Sequence, residues 1–410
     1  MKVLWFSNIE LTDELKGTGG WIFAMANLLI KEACVELHLI TQGDVQSVTK
    51  KEYKTISQWI FPPEPLKTNG LPSLKTIREI QSVVNEIQPE IIHVWGMENY
   101  WGLLTARGLI RGNVILEIQG LRFEIAKHFY SGLSMYDLLN CFGYAEIRRP
   151  LQSLIGAKYS FTRWGKFEKE MLRKHKFIST QSNWVRANIF FVSPMAQIFN
   201  TSIRLRQEFL DADKWEFENC KKYQIFTSTS SETSYKGLHI LLDAIFVLKI
   251  KYPQLKLCIA AFPKVGFKHS GYSNWINKKI NYLNLGESIT WLGPMDAGNL
   301  VIQMQEANVV VVPSFIESYS LSFDEALTIG VPTVASFAGA MPELASHEFT
   351  SLFFPPGDSI MCANAISRYF ANPEFAKLIS QNSYQIKRTN NKFNPTELQL
   401  SIYNKILSNE

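Results

Sequence analysis

Two glutamates that flank a turn and a helix start are the residues of this sequence with the clearest chemical potential. Glu317 and Glu325 are separated by seven residues in the stretch PSFIESYSLSFDEALTIGVP, which begins at Pro313. An apolar run, Val309–Val312, precedes the stretch and is long enough for one buried parallel strand. The pattern predicts a strand, then a turn that contains Glu317, then a helix that contains Glu325.

The predicted helix places backbone amides beside the turn. It covers residues 321–329, with Ser320 or Ser322 as its start signal and Gly330 as its stop signal. The turn then lies at the carboxyl end of a parallel strand, where open α/β sheets bind ligands. The first amides of a helix lack partners and carry partial positive charge, so those of Ser320, Leu321 and Ser322 suit a phosphate group.

The spacing of the two carboxylates fits an extended ligand with an anionic middle. Glu325 lies about five residues into the helix, roughly 7–8 Å along its axis at about 1.5 Å per residue, whereas Glu317 stays in the turn. A nucleotide sugar has this shape, with hydroxyl groups at both ends and a pyrophosphate between them. A structural interpretation remains open, because Ser322 and Glu325 also have capping-box spacing and Glu317 can be a solvated turn residue.

The stretch and its continuation resemble the retaining glycosyltransferases of family 4, which have the GT-B fold. That family has two glutamates at this spacing, followed by a G-x-P-V turn, a G-x-x-E-L turn and a P-G-D turn. This chain has GVPTV, GAMPEL and PPGD in that order, ending at Asp358. The resemblance covers most of the chain and is most specific in the C-terminal half. Together with alternating strand and helix patterns, it predicts an α/β fold of two Rossmann-like, doubly wound parallel-sheet domains facing across a cleft.

The resemblance also implies an activity and a set of roles. The chain would transfer a hexose from a UDP- or GDP-sugar to a saccharide or lipid-linked acceptor, with surface polysaccharide assembly as the setting. Lys236, in a K-G-x-x-x-L-L-x-A pattern, would contact the donor phosphates, Glu317 would orient the sugar and Glu325 would hold the ribose. Further donor contacts would come from backbone at glycines in two turns: Gly19, Gly20 and Gly293. We expect no metal and no cofactor, since no Asp-x-Asp pair lies at a suitable turn.

Two departures from the family pattern keep a different function open. Gln119 stands where many relatives have a histidine that contacts the transferred sugar; glutamine can hydrogen-bond a hydroxyl group but cannot become a cation. Ser230 and Ser231 stand where relatives usually have an arginine for the phosphates. The alternative is a non-catalytic two-domain protein that binds a nucleotide or a sugar. Candidate acceptor or sugar contacts are His93, Glu98 and Asn99, although a lone strand histidine is more often structural.

Length and composition indicate two globular domains. The chain has 410 residues, of which 46% are hydrophobic and 19% charged. We expect an N-terminal acceptor-side domain over 1–205, a nucleotide-sugar domain over 206–385 and a C-terminal helix, 386–410, that packs back toward the first domain. Residues 52–65, which contain three prolines, are expected to be irregular.

The cysteines and glycines exclude some classes of protein. The five cysteines are scattered and form no C-x-x-C pair, which favours reduced thiols in a cytoplasmic protein over a disulfide framework or a zinc site. We expect no signal peptide and no membrane span. A dinucleotide-binding G-x-G-x-x-G is missing, which disfavours a nicotinamide dehydrogenase.

The net charge of one basic stretch, Glu146–Lys176, is larger than the net charge of the whole chain. The stretch has nine Lys or Arg and three acids, whereas the chain as a whole carries +5. One interpretation is an ordinary solvated pair of helices. The other is a surface that meets anionic lipid headgroups at the inner face of the cytoplasmic membrane, or an anionic acceptor. No nucleic-acid motif accompanies the stretch, so we expect no nucleic-acid partner.

Overall fold

The chain forms two compact units. The computed structural model describes residues 1–12, 20–32, 34–148, 150, 153–229, 232–263, 271–390 and 395–408. The first unit comprises Met1–Phe123, Arg163–Arg204 and Asn394–Glu410, and the second comprises Glu124–Thr162 and Leu205–Phe393. Each unit has its own sheet.

The strands of the first unit make an eight-stranded sheet and those of the second a six-stranded sheet in the described residues. In chain order they are β1 (Lys2–Phe6), β2 (Glu36–Gln42), β3 (Thr49–Tyr53), β4 (Ile56–Phe61), β5 (Ile91–Trp95), β6 (Asn113–Glu117), β7 (Phe177–Thr180) and β8 (Gln197–Asn200), then β9 (Gln224–Thr227), β10 (Lys256–Ile259), β11 (Ile289–Trp291), β12 (Val309–Val312), β13 (Thr333–Ser336) and β14 (Leu352–Phe354).

The helices alternate with these strands. In chain order they are α1 (Gly20–Leu29), α2 (Leu74–Ile87), α3 (Trp101–Ala106), α4 (Arg122–Ile125), α5 (Met135–Asn140), α6 (Tyr144–Arg148), α7 (Leu154–Lys174), α8 (Asn183–Val192), α9 (Gln207–Asp211), α10 (Leu238–Lys251), α11 (Gly271–Tyr282), α12 (Ala297–Gln305), α13 (Leu321–Thr328), α14 (Met341–Leu344), α15 (Ser359–Ala371), α16 (Pro373–Asn390) and α17 (Pro395–Leu407).

Both sheets reverse their strand order at one point. The first runs β3-β4-β2-β1-β5-β6-β7-β8, with β3 and β4 antiparallel and the other described pairs parallel. The second runs β11-β10-β9-β12-β13-β14 and all its described pairs are parallel. Ligands of doubly wound sheets bind beyond the carboxyl ends of the strands at such a reversal. In the second unit the reversal lies between β9 and β12.

Buried apolar strands explain why the sheets form. Each residue of β12 is at most 5% exposed, and β5 is buried along its whole length. Such continuous apolar strands are typical of parallel sheets that are covered on both faces. The predicted strand at 309–312 is therefore confirmed, and so is the predicted α/β class with two parallel-sheet units.

The expectation of irregular structure over residues 52–65 is wrong. Strands β3 and β4 form a hairpin in which Tyr53 pairs with Ile56, and Lys54 takes a left-handed φ of 54° in its turn. The residues of β4, ISQWIF, are buried except for one, whereas β3, TKKEY, is buried only at Tyr53. The three prolines come after β4 and so do not interrupt it.

One part of the grouping was not indicated by the sequence, because Glu124–Thr162 belongs to the second unit. Helix α17 belongs to the first unit. Ile402, Tyr403 and Ile406 of α17 share a core cluster with Val3 and Trp5 of β1. The functional division into 1–205, 206–385 and 386–410 stays a prediction. In the described ranges, none of the helices combines the length and apolarity needed to cross a membrane.

Candidate functional site

The turn after β12 holds Glu317 in a fixed position. Its Oε1 accepts hydrogen bonds from Lys236 Nζ at 2.6 Å and from Ser314 Oγ at 2.7 Å. Its carbonyl oxygen accepts from the N–H of Ala340 at 2.8 Å. Gly339 permits this approach, because it takes φ 55° and a Cβ there would lie 2.1 Å from the same carbonyl oxygen. The GAMPEL segment therefore supports the backbone of Glu317.

Lys236 reaches Glu317 from the connection between β9 and α10. It ends a short 3-10 turn, Ser234–Lys236, and is followed by Gly237 at φ 74°. A Cβ on Gly237 would lie 2.0 Å from the carbonyl oxygen of Pro313. Only glycine allows this contact, which brings the start of α10 against the end of β12. The two residues predicted to act on the donor thus meet at the strand-order reversal of the second sheet.

The Lys236–Glu317 pair is partly shielded from water. The side chain of Lys236 is 33% exposed and that of Glu317 is 11% exposed. Burial alone would lower the pKa of Lys236, but the charge and hydrogen bond of Glu317 outweigh it and raise that pKa. Lys236 therefore remains a cation at neutral pH, with ammonium donors beyond the one that Glu317 uses.

Glu325 is bound by an arginine that sequence reasoning missed. Arg206 donates from Nε to Oε1 at 2.7 Å and from Nη2 to Oε2 at 2.8 Å. The Glu325 side chain is 4% exposed, and burial raises its pKa while Arg206 opposes that rise. The fork-to-fork geometry fixes the carboxylate as well as its charge. No local pattern indicates this contact, since 119 positions separate the two residues.

Helix α13 begins at Leu321, as the sequence predicts. Ser320 is its N-cap, but its side chain makes no capping hydrogen bond. The structural alternative for Ser322 and Glu325 is wrong, since the cap lies two residues earlier and Arg206 holds the Glu325 carboxylate. The first amides of α13, including those of Leu321 and Ser322, have no partner within the helix.

The first turn of α13 also contains a buried acid. Asp324 is 5% exposed and its carboxylate accepts hydrogen bonds from the hydroxyl of Tyr319 and from Nζ of Lys387. The Lys387 charge offsets the Asp324 charge, so the acid detracts less from the positive potential of the helix start.

Two other predicted features of the second unit are turns. Gly293 follows β11 at φ 76°, and its own N–H donates to the Ala261 carbonyl at 3.1 Å. Asp358, from the PGD segment, caps α15 by accepting from the N–H of Met361 at 2.9 Å. Asp358 thus has a structural role.

In the first unit, His93 lies inside the domain. It is 0% exposed, stacks on Trp95 with ring centroids 3.9 Å apart, and its Nδ1 is 2.8 Å from the Tyr403 hydroxyl. Burial lowers its pKa, against a weaker opposing effect of Glu117. These contacts correct the prediction that His93 contacts the acceptor, because a fully covered imidazole that packs within its own domain has no surface for a ligand.

Glu98, Asn99 and Gln119 lie together after β5 and β6. A Cβ on Gly96 would lie 2.0 Å from Glu98 Oε2 and 3.2 Å from Gln119 Cδ. Among the described residues, Glu98 Oε2 is buried without a hydrogen bond partner, and burial raises the pKa of Glu98 against backbone hydrogen bonds and the attraction of Arg122. Asn99 instead donates to Gln42 Oε1 at 2.7 Å. The structure thus groups Glu98 with Gln119, whereas the Asn99 amide is used within the domain.

Several predicted positions fall outside the described residues or mark only an element boundary. Gly19, Ser230 and Ser231 lie outside the described part of the chain, and Gly20 begins α1. Within the described ranges, the structure contains no group of three or more His, Cys, Asp or Glu that could hold a metal. The expectation of a metal-free site stays a prediction.

A buried carboxylate in the first sheet is a second feature that the sequence did not reveal. Glu117 is 0% exposed and accepts from Ser179 Oγ, from Gln181 Nε2 and, at 2.7 Å, from Thr201 Oγ1. Since its partners come from β7 and from residues after β7 and β8, Glu117 ties together the carboxyl ends of three neighbouring strands.

Comparison with families of known proteins gives a match in the second unit. Residues 211–386 match the model of the family described as Glycosyl transferases group 1. Among curated proteins, the chain is 29% identical over 126 residues to a D-inositol 3-phosphate glycosyltransferase of Saccharomonospora viridis. That match covers 31% of this chain and only 29% of the relative's length.

Comparison with solved structures extends over the whole chain. A sucrose-phosphate synthase of Thermosynechococcus elongatus superposes with a TM-score of 0.71 at 17% identity, covering 100% of both chains. HepE of Anabaena, solved in complex with UDP and glucose, superposes with a TM-score of 0.68 at 15% identity, also covering 100% of both chains. These likenesses confirm the predicted GT-B fold.

Proposed function

Because residues 211–386 of this chain match the family model of glycosyl transferases group 1, we propose that the protein is a retaining glycosyltransferase of the family 4 type. It transfers a hexose from a nucleoside diphosphate sugar to a saccharide or lipid-linked acceptor. The observation that carries this proposal is the Lys236–Glu317 pair, held 2.6 Å apart at the strand-order reversal and beside the start of α13.

The pair separates the two tasks that the donor requires. In the described residues, both hydrogen bonds to the Glu317 carboxylate are made at Oε1, so Oε2 is available to accept from a sugar hydroxyl. Lys236 has three N–H donors and uses one of them to donate to Glu317, so the other two can donate to phosphate oxygens. Glu317 therefore orients the sugar while Lys236 stabilises the leaving diphosphate.

The start of α13 complements Lys236. The amides of Ser320, Leu321 and Ser322 meet the diphosphate from the other side, as helix starts commonly do with anions. In this proposal no protein side chain acts as a nucleophile and no metal is required. Charge that develops on the leaving group is stabilised by fixed donors that need no rearrangement during the reaction.

Glu325 binds the ribose of the donor. An ionised carboxylate offers about four lone-pair positions, and Arg206 occupies two of them. The remaining two suit the neighbouring 2′- and 3′-hydroxyls of a ribose. UDP is the favoured nucleotide because HepE, which shares the fold, was solved with UDP and glucose. On the acceptor side, Glu98 and Gln119 are the proposed contacts, because the buried Glu98 Oε2 has no hydrogen bond partner in the part of the chain that the structure describes.

The basic stretch, Glu146–Lys176, suits an enzyme that works on lipid-linked acceptors during surface polysaccharide assembly. Its acids are buried or paired: Glu146 and Glu168 are buried, and Glu170 is bound by Arg107 at 2.7 Å. Most of its basic side chains are exposed: Arg148, Arg163, Lys166, Arg173, Lys174 and Lys176. We infer that this surface meets anionic lipid at the inner face of the cytoplasmic membrane.

Replacing Glu317 by alanine tests the catalytic proposal. We expect UDP release from UDP-hexose, assayed with extracted saccharide and lipid acceptors, to fall by roughly 10²–10³-fold, as for loss of one transition-state contact. UDP affinity, measured by calorimetry, should change only modestly. Glu287→Ala, at an exposed site away from β12, is the matched control. Turnover that survives Glu317→Ala would refute the assigned role, and UDP binding without any turnover in the wild type would favour the non-catalytic alternative.

A further inference from the structure

A group of large apolar side chains faces solvent on α5, on α6 and on the link between them. The apolar surface, as we call it, consists of side chains that are between 56% and 75% exposed: Met135, Tyr136, Leu139, Phe142, Tyr144 and Ile147. None of the residues of α5 is buried. At the start of α7, Ile155 and Tyr159 are also exposed, each at 59%. Exposed apolar groups gathered in this way usually mark an interaction site.

The apolar surface is supported from beneath. Glu146, which is 4% exposed, accepts hydrogen bonds from the N–H groups of Gly143, at 2.9 Å, and of Gly271. Cys141 is buried, and its carbonyl oxygen lies so close to Gly271 that any Cβ there would clash. Helices of five and six residues are not stable alone in water, so these contacts hold the apolar side chains outward.

Basic side chains beside the apolar surface are exposed to solvent. Arg148 and Lys278 are exposed, and Lys278 lines a cavity of about 350 Å³ together with Phe142 and Tyr144. The nearby acids are used internally: Asp137 forms a capping box with Ser134, and Glu146 is buried. The exposed cations Arg148 and Lys278 would attract anionic headgroups.

We propose that the apolar surface inserts into the headgroup region of an anionic bilayer. Tyrosine and other large apolar side chains beside basic residues are the composition that lies in a membrane interface. The proposal rests on the membrane contact inferred above, but not on glycosyl transfer. It differs from a purely electrostatic contact in one measurable respect, because buried apolar groups keep a protein on the bilayer when salt screens its charges.

Vesicle sedimentation distinguishes insertion from charge attraction. Vesicles of phosphatidylglycerol and phosphatidylcholine, and vesicles of phosphatidylcholine alone, are mixed with the full-length chain at low and at high salt. We expect the wild type to bind the anionic vesicles and to retain at least a third of that binding at high salt. The triple variant Leu139→Ser, Phe142→Ser, Ile147→Ser should lose at least tenfold in affinity and the whole salt-resistant fraction.

A matched variant controls for general loss of apolar surface. Phe191 and Met195 of the first unit are 89% and 91% exposed, and their replacement by serine should leave vesicle binding unchanged. Melting temperatures of both variants should equal that of the wild type, because all the replaced side chains are exposed. Equal binding of wild type and triple variant would overturn the proposal. So would a wild type that ignores vesicles and dimerises through this surface in size-exclusion chromatography.

Discussion

At the scale of single residues, the site consists of two ion pairs that have different surroundings. Lys236–Glu317 is partly exposed and has donors and acceptors to spare, so it can exchange contacts with a ligand. Arg206–Glu325 is more enclosed at the carboxylate and has bidentate geometry. The first pair is therefore suited to the reacting end of the donor, and the second to holding its ribose in a constant position.

Replacing Arg206 by glutamine tests the second pair. Without the guanidinium, burial raises the pKa of Glu325 further and its carboxylate loses its orientation. We expect UDP affinity to fall roughly tenfold, about 1.4 kcal/mol, whereas 2′-deoxy-UDP should lose much less. Calorimetry below the melting temperature of each variant measures both ligands. Arg111→Gln, an exposed site in the first unit, is the control. An unchanged ratio between the two nucleotides in Arg206→Gln would contradict this role.

At the scale of elements, the site depends on how closely α10 approaches the end of β12. Gly237 makes that approach possible, since its φ is 74° and the Pro313 carbonyl occupies the space of a Cβ. The sequence shows Lys236 and Gly237 as neighbours at a helix start, but it does not show what the glycine touches. The need for glycine comes from a strand that is far away in sequence.

Replacing Gly237 by alanine should separate the two elements. We expect a loss of roughly 2–4 kcal/mol in the free energy of unfolding, from the left-handed φ and the backbone clash together. Gly286→Ala is the matched control, because no atom lies within 4 Å of its Cβ position, and it should change stability by less than about 0.5 kcal/mol. Urea unfolding measures both. Equal stabilities for the two variants would show that the close contact is not required.

A buried acid on α7 links the stability of the first unit to pH. Glu168 is 0% exposed, and burial raises its pKa from 4.5 to about 8. Between these values the unfolded chain has released the proton and the folded chain keeps it. Stability therefore falls as pH rises from about 5 to about 8, by at most about 1.4 kcal/mol for each pKa unit.

Glu168→Gln should remove this fall. A glutamine oxygen can still accept from the N–H of Phe123, which lies 3.1 Å from Glu168 Oε2. Urea midpoints for the first unit at pH 5, 6.5 and 8 should decline in the wild type and decline less in the variant. Glu374→Gln, at a side chain that is 84% exposed, controls for the loss of a charge. Parallel pH profiles for wild type and Glu168→Gln would contradict the assigned burial effect.

At the scale of the whole molecule, local patterns predicted the elements and non-local contacts decided the rest. Four valines followed by a turn and a capped helix were enough to predict β12, Glu317 and α13. Arg206 with Glu325, and Glu117 with its hydroxyl donors, join residues that are far apart in sequence, so no window of sequence contains them. The apolar surface could not be predicted either, because exposed and buried apolar residues look alike in a sequence.

The same scale separates what the two units contribute. The family match and both ion pairs lie in the second unit, which therefore carries the proposed donor site. The first unit contributes the Glu98–Gln119 group, and its His93 is buried in the core. We therefore propose that the first unit selects the acceptor.

The donor site is tested most directly by the melting temperature of the wild type with UDP, GDP, ADP and NAD, each at millimolar concentration. A ligand at about 100 times its dissociation constant adds about 2.7 kcal/mol to stability, a shift of several degrees at most for units of this size. We predict a shift with UDP that is absent with ADP and NAD and is lost in Lys236→Gln. No shift with UDP or GDP, or an equal shift with NAD, would contradict a nucleotide-sugar site between β12 and α13.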